Sequence, residues 1–236
     1  MFLQNQKIKF NNILVSNKNQ LYEEFVTNNL KIEVKKNINI KNNCNFIITG
    51  GQTARSLYLY WDENKPWPHS KVNYCLSDER AVKNSSELSN YRMIKKALFK
   101  NRENINNLFN VYQKSKMKNI SYNFDKYMLQ GIDLTLLSLG SDGHFASIFP
   151  DTGQIYKPGK IINTFGNETN RYSISSSIVK KSKKIYVLVA GVSKAKALKK
   201  IFSSDGNIDK YPAKVLTKSK WLLNFDAANY LNLDNA

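Results

Sequence analysis

Residues 132–150 read IDLTLLSLGSDGHFASIFP, and the reading of this stretch decides the fold. Residues 132–139 form a largely apolar run, interrupted only by Asp133, Thr135 and Ser138. Such a run predicts a strand buried on both faces, as in a parallel sheet. It stops at Gly140-Ser141-Asp142-Gly143, where two glycines let the backbone turn sharply and approach a ligand. His144 follows, one of two histidines in the chain, and then Phe145-Ala146-Ser147-Ile148-Phe149 closed by Pro150. An imidazole just past the carboxyl end of a central strand stands where open α/β sheets bind their ligands. Two readings are open at this point. One is a tight βα turn with a solvated imidazole. The other is a working pair, in which the Asp142 carboxylate fixes the tautomer of His144 and raises its basicity.

The same pattern of strand, turn and helix recurs outward from this centre. Residues 45–49 (NFIIT) predict a buried strand, Gly50-Gly51-Gln52-Thr53 a tight turn, and residues 54–61 a helix. That turn serves either packing or an anion, with free amides at a helix N-terminus and the Thr53 hydroxyl beside them. It lacks the spacing of a Walker or dinucleotide fingerprint, so no ATP or NAD is inferred. Residues 72–77 (VNYCLS) predict a strand ending at Asp78-Glu79-Arg80, and Asn90-Tyr91-Arg92 opens a helix over 93–99. Residues 184–190 (KIYVLVA) predict a second clear buried strand, followed by Gly191-Val192-Ser193-Lys194 and a helix over 195–202. Toward the ends, the apolar spacing of residues 19–34 predicts an amphipathic helix, and residues 1–16 an edge strand or two. Further strands are expected at 106–112, 161–165, 171–174 and 221–224, with helices at 120–129 and 226–231. His69, in a loop with Pro66, Trp67 and Pro68, is expected to be exposed. Alternating strands and helices argue an α/β fold with a mostly parallel, Rossmann-like sheet flanked by helices, expected as a single domain over 1–236.

Composition narrows the function. A chain of 236 residues, 42% hydrophobic, has ample core. Residues 1–20 hold no long apolar region after their lysines, and no segment reads as a membrane span, so a cytoplasmic protein is expected. Cys44 and Cys75 have neither metal spacing nor disulfide density, and Cys75 reads as a reduced core residue. The net charge of +18 invites a nucleic-acid partner. The lysines are nonetheless spread along the chain beside asparagines, and no zinc spacing, basic heptad or aromatic RNA-binding signature is present. A solvated basic surface that attracts anionic substrates is the simpler account, with no specific nucleic acid and no membrane as partners.

Four turns therefore carry matching chemistry, and together they resemble the 6-phosphogluconolactonase family. LGSDGHFASIFP is similar to that family's central signature; DER followed by SNYR is similar to its second, and GVSKA to its lysine-bearing turn. The resemblance covers roughly residues 46–228. This chain carries Gln52, Ala54 and Ser141 where the family often has serine, proline and proline. A related branch, the glucosamine-6-phosphate deaminases and isomerases, shares the Gly-x-Asp-Gly-His turn. Its members typically continue with Asn-Glu-Pro and carry a tyrosine at the position of Arg80, so both differences favour the lactonase.

The resemblance implies 6-phospho-D-glucono-1,5-lactone as substrate, with water as second reactant. It makes His144 the general base toward water and then the general acid toward the ring oxygen, supported by Asp142. Gly50, Gly51, Thr53, Asp78, Arg80, Arg171 and Lys194 are the candidate substrate holders. Arginine suits a phosphate dianion through its bidentate fork, and lysine adds a point charge. Arg171 and Lys194 each also fit a plain surface role. No metal, cofactor or nucleophilic serine is required. The expected state is a monomer or small homo-oligomer. The competing readings are an amino-sugar-phosphate deaminase or isomerase, a sugar-phosphate-binding regulator without catalysis, and a nucleic-acid binder motivated by charge alone.

Overall fold

Short apolar strands that bury both faces need helices on either side, and that requirement shapes the architecture. The computed structural model describes residues 12–100, 106–112, 124–126, 128, 131–166, 168–203 and 206–228. Seven strands form one sheet: β1 (Ile13–Val15), β2 (Cys44–Ile48), β3 (Val72–Leu76), β5 (Leu108–Phe109), β6 (Leu134–Ser138), β9 (Lys184–Val189) and β10 (Lys220–Leu223). Their order is β1-β10-β9-β6-β2-β3-β5, and every neighbouring pair is parallel. All five residues of β2 are buried, as are the last four of β9, which is why these segments read as continuous apolar runs. The expected mostly parallel sheet is therefore present. Around it lie α1 (Tyr22–Lys41), α2 (Gln52–Asn64), α3 (Asn90–Leu98), α4 (Ser176–Lys180), α5 (Ala195–Phe202) and α6 (Phe225–Ala228).

A second sheet was not anticipated by the alternation of strands and helices. Strands β4 (Asp78–Arg80), β8 (Thr169–Ile174) and β7 (Ile161–Gly166) pair antiparallel in that order. The DER segment thus leaves the large sheet and starts a small one. Its strand is three residues long and wholly charged, so no periodicity marks it.

Other boundaries moved for identifiable reasons. Helix α1 runs seven residues past the expected end at Val34. The run Lys35-Lys36-Asn37 hides the fact that the buried stripe Val26, Leu30, Val34 continues at the same spacing to Ile38. Asn42, in the left-handed region, then closes the helix by donating its N–H to the Ile38 carbonyl. The expected strand at 106–112 shrinks to β5 alone. The expected helix at 120–129 lies mostly outside the described residues, as do Phe10 and the end of the one at 226–231.

The clearest correction concerns His69. It is 1% exposed, not exposed as its proline-bounded loop suggested. Its ring packs edge-on to Trp67 and Phe99 and is tilted against Tyr74. Tyr74 Oη lies 2.7 Å from Nδ1, and the Trp61 carbonyl 3.3 Å from Nε2. An imidazole whose two nitrogens both find partners can be buried at little cost. Both cysteines are buried free thiols on adjacent strands, and burial, followed by the nearby Asp133 charge, pushes Cys44 up to about 12.

Candidate active site

The chain winds from β2 outward through β3 to β5, then returns to β6 on the other side of β2 and continues through β9. Strands β2 and β6 therefore flank a topological switch point, the crevice where open α/β sheets take ligands. Four adjacent strands, β9, β6, β2 and β3, end at this edge. Their following turns carry Lys194, Asp142 with His144, Gly50 with Gly51, and Asp78 with Arg80.

After β6 the backbone doubles back tightly. Leu139 bridges Phe145 antiparallel, and the Gly140 N–H donates to the His144 carbonyl at 2.8 Å. This fold-back sets the imidazole against its own turn. The Asp142 Oδ1 accepts from the His144 backbone N–H at 3.1 Å and lies 2.6 Å from Nδ1. Burial pushes the Asp142 carboxyl up, but the hydrogen bond from His144 and its charge outweigh this and hold it below the usual range. An ionised carboxylate only accepts, so Nδ1 carries the hydrogen and Nε2 is left as the basic nitrogen. The imidazole side chain is 25% exposed and so reachable. A Cβ at position 140 would lie 2.1 Å from His144 Nδ1 and 2.6 Å from Asp142 Oδ1, so a larger residue there displaces the pair.

The other side of the crevice is organised by the DER and SNYR segments. Gly51, whose φ is 96°, stands at the N-cap of helix α2, and no side chain caps that helix. Free amides at a helix N-terminus are the arrangement that accepts an anion, and Thr53 stands in this first turn. Among the described residues, Thr53 and Lys194 have no side-chain hydrogen bond or ion pair. Gly50 lies against the Asn90 side chain. Asn90 donates through Nδ2 to the Asp78 carbonyl at 3.0 Å and accepts from Arg80 Nη1 at 2.6 Å. The Leu88 carbonyl also accepts from Arg80 Nη1, so the rest of that guanidinium is not engaged by the described residues.

Arg171 stands directly across the small sheet from Arg80, and its residue is 7% exposed rather than a plain surface group. Burial first, and then the neighbouring Arg80 charge, lower its pKa. Two like charges on facing positions oppose pairing. Asp78 Oδ2 offsets part of this from 3.9 Å, and Arg171 Nε donates to the Gly166 carbonyl at 3.1 Å. Asp78 itself, expected among the substrate holders, is 5% exposed. Its carboxylate accepts from Ser77 Oγ at 3.0 Å and Ser147 Oγ at 2.6 Å. The bond from Ser147 ties the His144 turn to the DER strand, and it leaves the serine fully buried.

Glu79 escaped the sequence reading, and it explains why DER and SNYR travel together. Its buried carboxylate accepts from the backbone of Arg80, Asn90 and Tyr91 at 2.7–2.8 Å and from Ser89 Oγ at 2.8 Å. Burial pushes its pKa up, and those four donors act in the other direction. Glu79 thus holds the N-terminus of α3, while the Ser89 hydroxyl accepts from the Arg92 N–H. The spacing between an acid and a later Ser-Asn was the available signal. Among the described residues, no cluster of His, Cys, Asp and Glu is placed to hold a metal ion, and no helix is long and apolar enough to cross a membrane.

Known proteins resemble this chain over most of its length. A probable 6-phosphogluconolactonase from Dictyostelium discoideum is 27% identical over 215 residues, which is 84% of this chain and 90% of that protein. The crystal structure of a 6-phosphogluconolactonase from Thermotoga maritima superposes with a TM-score of 0.76 at 24% identity, over 90% of this chain and 98% of that one. A monomeric glucosamine-6-phosphate deaminase reaches a TM-score of 0.74 at 17% identity, over 92% and 97%. The two structures share one fold with this chain, so the fold alone does not separate lactonase from deaminase. The family described as glucosamine-6-phosphate isomerases/6-phosphogluconolactonase matches residues 16–223, which take in all four strand-end turns, and the chain belongs to it.

Proposed function

We propose that this protein hydrolyses 6-phospho-D-glucono-1,5-lactone to 6-phospho-D-gluconate, acting as one domain on a small sugar phosphate in the cytoplasm. The observation that carries the reading is the Asp142–His144 pair at 2.6 Å at the switch point, within a basic site that includes Arg80 and Arg171. Named relatives such as the Dictyostelium protein support the lactone as substrate. Arg80 and the Ser147 to Pro150 segment favour the lactonase over the deaminase branch.

In this mechanism His144 Nε2 takes a proton from water as the oxygen attacks the lactone carbonyl. The tetrahedral intermediate then collapses, the bond from the carbonyl carbon to the ring oxygen breaks, and the imidazolium returns its proton to that oxygen. One water is consumed, and the products are a carboxylate and a hydroxyl, with the carboxylic proton released to solvent. Asp142 holds the imidazole in the productive tautomer and stabilises its charged form. The Gly50 and Gly51 amides, Thr53, Arg80, Arg171 and Lys194 hold the phosphate, whose binding positions the remote carbonyl. Asp78 acts through Ser147 and Arg171 as a positioning residue.

The test generates the lactone in situ and follows its opening with and without the protein. Acceleration over the spontaneous rate is expected, with no ammonia released from glucosamine-6-phosphate. Ammonia release without lactone opening would move the assignment to the deaminase branch. Arg80→Ala and Lys194→Ala should each raise KM about tenfold or more, in line with loss of a charge-assisted contact. An unchanged KM in both would remove these two residues from the phosphate site.

A further inference from the structure

Phe149 stands between the two halves of the site. Its ring centroid lies 4.8 Å from that of His144, tilted by 41°, and the Arg171 guanidinium carbon lies 5.4 Å from it. The residue is 7% exposed. Gly166, at the end of β7, forms one wall: a Cβ there would fall 2.3–2.6 Å from three atoms of the Phe149 ring. The backbone is pinned as well. The Phe149 N–H donates to Gln154 Oε1 at 3.0 Å, and its carbonyl accepts from Thr152 Oγ1 at 2.8 Å. Gly166 also accepts the Arg171 Nε bond, so one glycine seats both the aromatic ring and the arginine that lies on it.

We propose that Phe149 is a positioning residue for His144, resting on the lactonase reading above, and that it couples the general base to the phosphate-holding Arg171. An imidazole held only by Asp142 can still swing about that single bond, and the Phe149 ring limits that swing and aims Nε2 at the crevice. The ring also stabilises the imidazolium that forms when water is deprotonated, since a cation is attracted to an aromatic face. Asp142 from its own turn and Phe149 touch the imidazole, the Arg171 guanidinium of β8 lies over the Phe149 ring, and Tyr211 packs on Gly143 of the same turn. The base and the phosphate-holding arginine thereby share one side chain.

The test compares Phe149→Leu, Phe149→Tyr and Gly166→Ala with the unmodified protein in the same lactone assay, with kcat and KM both measured. Phe149→Leu should lower kcat about 10- to 100-fold, a misaimed base costing that order, while KM changes less than threefold. Phe149→Tyr keeps the ring and should stay within threefold of the parent. Gly166→Ala displaces the ring from behind and should reproduce the leucine variant. A folded Phe149→Leu protein with parental kcat overturns the proposal, and so does a kcat loss that merely follows the folded fraction. A parent protein that opens no lactone would instead sink the functional reading. In that case the His144 ring-proton chemical shifts decide: they should lose their ring-current displacement in Phe149→Leu and keep it in Phe149→Tyr, and shifts indifferent to residue 149 overturn the inference.

Discussion

The chain's two histidines occupy opposite kinds of surroundings, and the contrast shows what makes an imidazole chemical. His69 sits in an aromatic wall between α2 and β3, 1% exposed, among Trp67, Tyr74 and Phe99. Trp67 Nε1 donates to Tyr74 Oη at 2.9 Å, which frees the phenol hydrogen to point at His69 Nδ1; His69 Nε2–H then faces the Trp61 carbonyl. Both nitrogens are committed. His144 is held at one nitrogen by an ionised Asp142, and its other nitrogen remains available. Burial with full satisfaction makes a structural residue, whereas half-burial with one committed nitrogen makes a candidate base.

The strongest way to break this comparison is to delete each imidazole. His144→Ala should lose on the order of 10²- to 10⁴-fold in turnover, keep its affinity for 6-phosphogluconate, and melt close to the parent temperature. His69→Ala should do the reverse. It opens a cavity and strips a partner from Tyr74 Oη, so it should cost about 2–4 kcal/mol of stability in a denaturant titration while activity per folded molecule is preserved. If His69→Ala proved fully stable yet inactive, the two environments would have been assigned the wrong way round.

Smaller effects sharpen the same contrast. Gly140→Ala forces a Cβ into the space of the Asp142–His144 pair. It should lower kcat about 10- to 100-fold by misplacing the imidazole, with Asp142 and His144 themselves intact. Parental kcat in that variant would show that the pair need not be held as seen here. The smallest effect is on acid stability. Asp142 has its pKa held below the ordinary value of 3.8, so an ionised Asp142 adds stability above that pH and loses it as pH falls through the lower folded value. The melting-temperature advantage of the parent over Asp142→Asn should therefore fade from just under pH 3.8 downward. Since the Asp142 side chain is 47% exposed, the gap should be modest throughout. A gap that widens on acidification would contradict the sign of the shift.

Much of the candidate site was legible because its parts are local. The Asp142–His144 pair spans three residues, so the turn alone brings the groups together. The anion-type turn at Gly50-Gly51 is equally a property of a few consecutive residues. Arg171 was nominated only by resemblance, and its pairing with Arg80 is beyond local reading, since 91 positions separate them and only the antiparallel register of β4 with β8 makes them face each other. The burial of His69 was misread because prolines and a histidine in a loop have no periodicity to reveal which way the ring turns. Glu79 and Phe149 looked like a charge in a cluster and an apolar filler until their partners, Asn90 and Tyr91 for one and Gly166 and Arg171 for the other, were in place.

By itself, the order of apolar runs and glycine turns determined a parallel α/β sheet with its chemistry at the strand ends, because hydrophobic burial and turn geometry act over a few residues at a time. Only the tertiary structure decided which distant charges share a wall, which histidine is enclosed, and which aromatic ring links base to anchor. Those outcomes depend on long-range register and on how the space between elements is filled, and no short window of sequence contains either.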